Sequence, residues 1–409
     1  MLRSLSSAIS AMQIHQTYLD VISMNISNVN TVGYKSSRVS FEEMLSQTLN
    51  YGSAPAEGIS GTNPVQIGLG ARLAGVDTVF TQGNPRATGK ATDMAIQGRG
   101  FFILGHGNDQ FYSRDGTADV SVDGFLVNPI SGLRILGWTA DGTGAINTDG
   151  PIGPISIPYG INEARATATV NFQGNLDTNT AVGDSITSSV AMYDSLGNLH
   201  MLEMTLTRTG VSEWTWGLST TDPAVTDVTL AGTDLTFDSS GFLVPGTPPP
   251  SVQITYDNGA DAGQIDLNLS AVTQLNQLGK VNAVSQDGLA PGSLIDFGIG
   301  ERGEVIGLYS NGLSRVIGQI ALAEFGNPAG LIRAGGNLFL PSANSGLAQI
   351  GVAGDGARGS ISAGFLEMSN VDLAREFTDM IVAQRGFQAN SRVISTSDEV
   401  LQELVNLKR

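Results

Sequence analysis

Apolar residues recur at helical spacing at both ends of this chain, and this pattern limits the fold more than any other. Near the N-terminus the steps between them are threes, fours and one seven, so the residues share one helical face. They are Leu5, Ile9, Met12, Leu19, Ile22 and Ile26. The stripe is narrow, as in the seam of a coiled coil. Because a lone helix nucleates poorly in water, such a helix needs a partner.

The C-terminal stretch from Val371 to Arg409 supplies a candidate partner. Its apolar residues keep a heptad register and are Leu373, Phe377, Met380, Phe387, Ile394, Leu401 and Val405. The pattern predicts a stalk of two paired terminal helices, with both stripes as assembly seams. The alternative is that each helix covers a sheet as an ordinary amphipathic helix.

The residues between the two helices have the pattern of a turn-rich β protein. Leu202, Met204 and Leu206 alternate with polar residues, and dipeptides such as Asp115-Gly116 mark hairpin turns. The predicted fold class is therefore mainly β with α-helical termini. It has paired N- and C-terminal coiled-coil helices on either side of the β part.

We predict a helical part at 1–34 with 366–409, an extended linker at 35–75 and a β part at 76–365. The linker assignment follows from the small residues, glycines and prolines between Tyr51 and Pro64. Residues 37–49 are predicted to be a short helical or mixed segment.

Composition excludes several classes of function. The chain contains no cysteine, which rules out disulfide frameworks, thiolate metal sites and cysteine nucleophiles. Its net charge of −17 makes nucleic acid and anionic membrane surfaces poor partners. No segment approaches the roughly 18 apolar residues of a membrane span. Gln13 and Asp20 interrupt the first apolar run too early for a cleaved secretory signal.

No pattern for catalysis or for binding a cofactor is present in the sequence. The three histidines are not spaced as metal ligands, and Asp257 and Asp261 lack the spacing of a calcium loop. The glycines around Arg99 precede strand-like residues, whereas a phosphate-binding loop needs a following helix. We therefore predict a protein that is not an enzyme, with no catalytic residues, no cofactor and no metal.

The end of the first helical stretch carries a motif with a known counterpart. The segment LDVISMNISNVNTVGYK resembles the N-terminal signature of the bacterial flagellar rod, hook and hook-associated protein family. The residues that carry the resemblance are Asn25, Asn28, Asn30, Thr31, Gly33, Tyr34 and Lys35. The asparagines suit a helix C-terminus, and Gly33 tolerates a left-handed exit. The stretch from Asp379 to Arg409 resembles the matching C-terminal signature.

A second motif, YDSLGN, lies in the middle of the chain. Its residues Tyr193, Asp194, Gly197 and Asn198 resemble the signature of the outer β domain of flagellar hook proteins, which rod proteins lack. The resemblance implies that the β part consists of a discontinuous inner β domain at 76–165 with 281–365 and an inserted outer β domain at 166–280. It also implies a structural subunit of the hook that polymerises helically into a bendable tube. Such a tube transmits motor torque from rod to filament and lets export substrates pass. The alternatives are a distal rod protein, favoured by the long linker, and a secreted β-sandwich adhesin.

The resemblance also implies partners and a location. The partners are other copies of the chain, the distal rod, the hook cap, the hook–filament junction proteins and the type III export apparatus. The expected location is the extracellular flagellum, reached without a cleaved signal peptide. No nucleic acid partner and no membrane span are expected.

Overall fold

In the computed structural model the structure describes residues 2–55, 57, 60–107, 109–245 and 249–407. The chain divides into two compact units. Unit 1 comprises Met1–Ile157, Gly298–Ile306 and Val316–Arg409, and unit 2 comprises Pro158–Phe297 and Gly307–Arg315. The predicted fold class is confirmed, because the described residues are mostly β and carry a long α-helix near each terminus.

The two helices are α1 (Leu2–Ser27) and α2 (Leu373–Asn406), and they pair with each other in unit 1. Asp372 caps α2, since its Oδ1 accepts hydrogen bonds from the backbone N–H groups of Ala374 and Arg375. Late residues of α1 meet early residues of α2, so the pairing is antiparallel. We call the pair the helix hairpin. Among the described residues, neither helix is long and apolar enough to cross a membrane.

The strands follow one another closely between the helices. In the first part of unit 1 they are β1 (Ser37–Glu43), β2 (Ser46–Asn50), β3 (Val65–Gly68), β4 (Ala71–Thr78), β5 (Pro85–Ala87), β6 (Met94–Gln97), β7 (Phe101–His106), β8 (Asp109–Ser113), β9 (Asp119–Val120), β10 (Leu126–Val127), β11 (Arg134–Thr139) and β12 (Gly153–Pro154). In unit 2 they are β13 (Asn162–Arg165), β14 (Thr169–Asp177), β15 (Ser185–Tyr193), β16 (Leu199–Arg208), β17 (Glu213–Ser219), β18 (Val225–Ala231), β19 (Asp234–Phe237), β20 (Leu243–Val244), β21 (Ser251–Tyr256), β22 (Gly263–Leu275) and β23 (Lys280–Gln286). Three strands include residues of both units, namely β24 (Leu289–Ile299), β25 (Glu304–Tyr309) and β26 (Ser314–Glu324). The last strands, in unit 1, are β27 (Ile332–Gly335), β28 (Leu338–Leu340), β29 (Gln349–Val352), β30 (Ser360–Ala363) and β31 (Phe365–Glu367).

The main sheet of unit 1 runs in the order β26-β11-β7-β8-β28-β27. Its core is aromatic and includes Phe101, Tyr112, Phe325 and Phe339, whose rings pack mainly edge to face. Strand β31 ends at Glu367, and α2 begins six residues later. The sheet and the short ribbon of β5 and β31 thus bring the C-terminal segment to the point where α2 starts.

The stretch from 35 to 75 contains two antiparallel strand pairs, β1 with β4 and β2 with β3. The prediction of a helical or mixed segment at 37–49 is therefore wrong. Ser37 and Val39 are buried while Arg38 between them is exposed, which is the period of a strand. In β1, pairing with residues 28 to 41 positions along the chain decides the structure, and local propensity could not reveal it.

Unit 2 contains two five-stranded sheets, ordered β18-β21-β22-β14-β23 and β15-β16-β17-β19-β20. The apolar faces of the two sheets form one core that includes Val190, Met204, Trp214 and Ile254. Alternation along the strands produces this core, because every second residue of β16 is buried. The sandwich starts at β14 and ends at β23, so a continuous piece of chain forms it.

Candidate assembly surface

The helix hairpin buries a face that differs from the predicted seams. The buried residues are Ala8, Ile14, Val21 and Ile22 on α1 and Ala383 on α2. Gly386 permits close approach of the helices, since a Cβ there would lie 2.6 Å from the ring of His15. The buried face of α1 differs because α1 contacts β1 and β4 as well as α2. Tyr18, for example, packs edge to face on Phe41 of β1 with centroids 5.6 Å apart.

The predicted seam residues fall into three groups by burial. Ile22 is buried. Leu5, Met12, Leu19, Ile26, Met380, Ile394 and Leu401 are half-buried. Ile9, Leu373, Phe377, Phe387 and Val405 are exposed. The exposed and half-buried groups are thus available for contacts between copies, and their role in assembly stays a prediction.

Helix α2 carries a second set of exposed apolar residues that the sequence reasoning missed. Val382, Val393, Val400 and Leu407 are exposed. The last three are seven residues apart, which is a heptad spacing in its own right. The signal was therefore present in the sequence, but only one heptad register was followed. With Phe377 and Phe387, these residues leave apolar surface on the outside of the helix hairpin.

Asn25 joins the helix hairpin to β1 and the segment before it. Its Nδ2 donates to the carbonyl of Ser37 at 2.8 Å and to Oε1 of Glu376 at 3.0 Å. Its Oδ1 accepts from the backbone N–H of Ser37 at 2.9 Å and from the hydroxyl of Tyr34 at 3.2 Å. Asn25 is only 1% exposed, so these protein hydrogen bonds satisfy its buried amide. Burial, with Asp379 nearby, raises the pKa of Glu376, although the bond from Asn25 opposes this.

Lys35 and Glu367 form a buried ion pair beneath the helix hairpin. Lys35 Nζ lies 2.5 Å from Glu367 Oε1 and donates to the carbonyl of Thr81 at 2.8 Å. The other carboxylate oxygen of Glu367 lies 3.3 Å from Nη1 of Arg114. Burial lowers the pKa of both Lys35 and Arg114, and Glu367 opposes that shift in each case. We call Lys35, Arg114 and Glu367 the buried charge cluster.

The remaining N-terminal signature residues shape the turn between α1 and β1. Gly33 has a φ of +68°, which confirms the left-handed exit, and a Cβ there would lie 2.6 Å from the Asp115 nitrogen. The Gly33 N–H donates to the Glu367 carbonyl at 2.8 Å. Thr31 donates to the side chain of Asn28, whose amide donates to the Met24 carbonyl. Asn30 is exposed.

The signature residues of unit 2 form a turn around a buried carboxylate. Asp194 Oδ1 accepts from the backbone N–H of Asn198 at 2.8 Å, and Oδ2 lies 3.2 Å from Nε2 of His200. Burial raises the pKa of Asp194, but hydrogen bonds from Asn198, Asn258 and His200 outweigh burial and hold it at about 2. Gly197 has a φ of +82°, and Tyr193 closes the hairpin opposite Leu199. These residues therefore shape and stabilise the turn.

The two ends of the chain meet in unit 1, although they lie far apart in the sequence. The N-terminal signature residues Asn25, Gly33 and Lys35 hold the helix hairpin to the strands through Ser37 and Glu367, and the outer face of α2 stays uncovered. Among the described residues, no group of three or more histidine, aspartate or glutamate side chains could hold a metal ion. The arrangement can therefore support a rigid attachment and an apolar contact surface.

Three family models match the sequence of this chain. The model described as flagella basal body rod protein matches residues 5–35, and the flagellar basal body rod FlgEFG protein C-terminal model matches 362–407. The flagellar basal body protein FlaE D2 domain model matches 162–289. The first two ranges contain the helices and the third contains the sandwich.

Several characterised proteins are similar over their whole length. The flagellar hook protein FlgE of Borreliella burgdorferi is 40% identical, with 100% of each chain covered. FlgE of Salmonella typhimurium is 37% identical, covering 99% of this chain and 100% of its own. The flagellar basal-body rod protein FlgG of Bacillus subtilis is 33% identical, with 100% of each covered.

A solved structure shares the fold. The crystal structure of Helicobacter pylori flagellar hook protein FlgE2 superposes with a TM-score of 0.50 at 16% identity. The match covers 69% of this chain and 100% of that one.

Proposed function

Because this chain belongs to the flagellar hook protein family and is a structural subunit of the hook, we propose that its copies stack helically into a bendable tube. The tube would transmit torque from rod to filament, and export substrates would pass through it. The exposed apolar surface of α2 is the observation that carries this proposal. Apolar residues at heptad spacing need a partner, and another copy of the chain can provide one.

The geometry of the helix hairpin favours an assembly that does not close on itself. Phe377 and Phe387 belong to one heptad register of α2 and lie on one flank of the helix. Val393 and Val400 belong to another register and lie on a different flank. A subunit with two different contact surfaces joins its neighbours head to tail, and repeated contacts of this kind build a helical tube. The buried charge cluster and Asn25 would fix each hairpin to its own β strands while the tube bears load.

Unit 2 supports a different mechanical role. Asp184, Asp227 and Asp234 are exposed on its surface, and such acidic, hydrated surfaces favour weak and exchangeable contacts. In a bent tube the subunits on the inner curve are compressed and those on the outer curve are stretched. Unit 2 would slide against its neighbours and set the curvature, while the helix hairpins keep the tube connected.

The further partners and the route to the outside belong to the same proposal. The tube would begin on the distal rod, grow beneath a hook cap and end at the junction proteins of the filament. The subunit would pass through the type III export apparatus to the extracellular flagellum without a cleaved signal peptide. Full-length similarity to hook proteins supports the flagellum as the location of the subunit.

A distal rod protein is the second candidate, because the rod protein of Bacillus subtilis is also similar over the full length. Electron microscopy of cells that lack this protein separates the two. We expect basal bodies with complete rods and no hooks, restored by the wild-type chain. Basal bodies that end before the distal rod would support the second candidate. Normal flagella together with lost adhesion would support the adhesin predicted as an alternative from the sequence.

A further inference from the structure

A cavity of about 260 Å³ opens in unit 1 beside the aromatic core of the main sheet. Phe80, Phe101 and Phe325 form its apolar wall. Arg114 lines the cavity as well, and Ala329 lies exposed on the 3-10 turn at its rim. The lining suits a small apolar group, and Arg114 favours a group that also carries a hydrogen-bond acceptor.

Arg114 has an unsatisfied donor in this cavity. The residue is 4% exposed, and its guanidinium carbon lies 5.4 Å from the centroid of the Phe101 ring. Nη1 binds Glu367, and Nη2 donates to the Gly98 carbonyl at 2.8 Å. The buried Nε–H has no acceptor in the structure. A buried donor without a partner destabilises the fold, and an acceptor that reaches the Nε–H from the cavity relieves that cost.

The charges around the cavity also favour an anion. Among the described residues, Glu367 is the one carboxylate in ion-pair contact with both Lys35 and Arg114. The buried charge cluster therefore holds two cations and one anion. At the mouth, Arg99 and Glu324 both line the cavity with their charged groups 3.9 Å apart, and the Arg99 side chain is 75% exposed. The charged residues that line the cavity are therefore two arginines and one glutamate. Buried charge without compensation is costly, and a carboxylate in the cavity would balance it.

We infer that this cavity is a docking site for a second copy of the chain, which inserts a carboxylate borne on an apolar side chain or next to one. Charge complementarity indicates this occupant, because the chain has 38 acidic against 21 basic residues and a net charge of −17. A second copy therefore presents many carboxylates to a rare basic cavity. This inference rests on the proposed polymer, and it adds a contact in the β part of unit 1 to those of the helices.

The first test examines the cavity in the full-length monomer. The probe is phenylacetate, a ring with a carboxylate, and the matched control is benzylamine, a similar ring with a cation. Saturation-transfer NMR should detect phenylacetate and not benzylamine. Ala329→Trp fills the rim and should abolish the phenylacetate signal, while Ala91→Trp, at an exposed alanine outside the cavity, should preserve it. Equal signals from both compounds, or binding to both variants, would overturn the inference.

The second test asks whether another copy occupies the cavity. Ala329→Trp and Arg99→Glu should each raise the critical concentration for polymerisation at least about tenfold. Ala91→Trp and Arg86→Glu, which alter exposed residues outside the cavity, should polymerise like wild type. Circular dichroism and urea unfolding confirm that each variant is folded.

The outcomes of the second test distinguish the two proposals. If wild type, controls and cavity variants all polymerise equally, docking of a second copy is wrong and the polymer stands. If wild-type chains do not polymerise under any condition, both the proposed polymer and this contact are wrong.

Discussion

Nζ of Lys35 lies 2.5 Å from Oε1 of Glu367, and the two side chains are 0% and 1% exposed. The residues are 332 positions apart in the sequence. The first belongs to the N-terminal signature, and the second ends the strand before α2. This pair joins the segment after α1 to the strand before α2. It therefore helps to attach the helix hairpin to the strands of unit 1.

Glu367→Gln should lower the free energy of unfolding of unit 1 by about 3–5 kcal/mol, because it leaves Lys35 and Arg114 buried without an anion. Urea unfolding followed by circular dichroism measures the change. The control is Glu42→Gln, which breaks the exposed Arg72–Glu42 pair, and it should change stability by less than about 1 kcal/mol. Equal effects of the two variants would contradict the structural importance of the buried charge cluster.

Asn25→Ala should destabilise unit 1 by about 2–4 kcal/mol. The substitution removes one side chain that makes all four hydrogen bonds to Ser37, Tyr34 and Glu376, and it leaves their buried polar groups without partners. Asn30→Ala, at an exposed signature asparagine, should change stability by less than about 0.5 kcal/mol. The same unfolding measurement tests both, and a small effect at Asn25 would show that water can replace its bonds.

Phe387→Asp should block polymerisation and leave the monomer folded. Phe387 is 37% exposed in the single chain, so the carboxylate remains hydrated there, but burial between copies would cost several kcal/mol per subunit. Met12→Asp, on the half-buried side of α1, should have the same effect on assembly. The control is Gln388→Asp, an exposed polar position next to Phe387. Sedimentation and electron microscopy report polymerisation, and normal tubes from both apolar variants would disprove the seam assignment.

Unit 2 should lose stability as the pH falls from about 4 to about 2. The pKa of Asp194 is lowered to about 2 in the folded chain, whereas an unfolded aspartate titrates near 3.9. A depressed pKa stabilises the fold above the unfolded value, and protonation of the folded carboxyl removes that contribution, here about 2 kcal/mol. Fluorescence of the buried Trp214 and Trp216 during urea unfolding at several pH values measures it.

The variant Asp194→Asn isolates this contribution. It should be less stable than wild type at pH 7 and show about 2 kcal/mol less dependence on pH between 4 and 2. Asp234→Asn, at an exposed aspartate, should retain the wild-type profile. An unchanged profile in Asp194→Asn would mean that other carboxylates control the acid transition.

Replacing residues 169–286 with a short Gly-Ser linker should still allow tubes, but straight ones or ones of altered curvature. The backbone N–H groups of Ala168 and Thr169 both donate to Oδ1 of Asp287 at 2.9 Å, so the two ends of the excised segment lie together. Electron microscopy of the polymer tests the expectation. Complete loss of tubes from a folded deletion variant would show that unit 2 is needed for assembly.

Much of the fold could be predicted because its determinants are local. Heptad spacing identified both helices, and alternation identified strands such as β16, since apolar periodicity follows directly from helix and strand geometry. The strands at 37–50 were missed because their partners lie at 65–78, beyond any local window. No sequence pattern indicated that α1 packs on β1 and β4 as well as on α2, and for this reason the buried face of α1 differs from the predicted seam.

The sequence by itself determined the two terminal helices, the left-handed turn at Gly33 and the turn around Asp194, because each depends on neighbouring residues. Only the tertiary structure decided that Lys35 meets Glu367, that Asn25 bonds Glu376 and that the outer face of α2 stays uncovered. Contacts between residues hundreds of positions apart depend on how the whole chain packs. No spacing in one sequence encodes those distances, so the buried bonds of Lys35 and Asn25 could be recognised only in three dimensions.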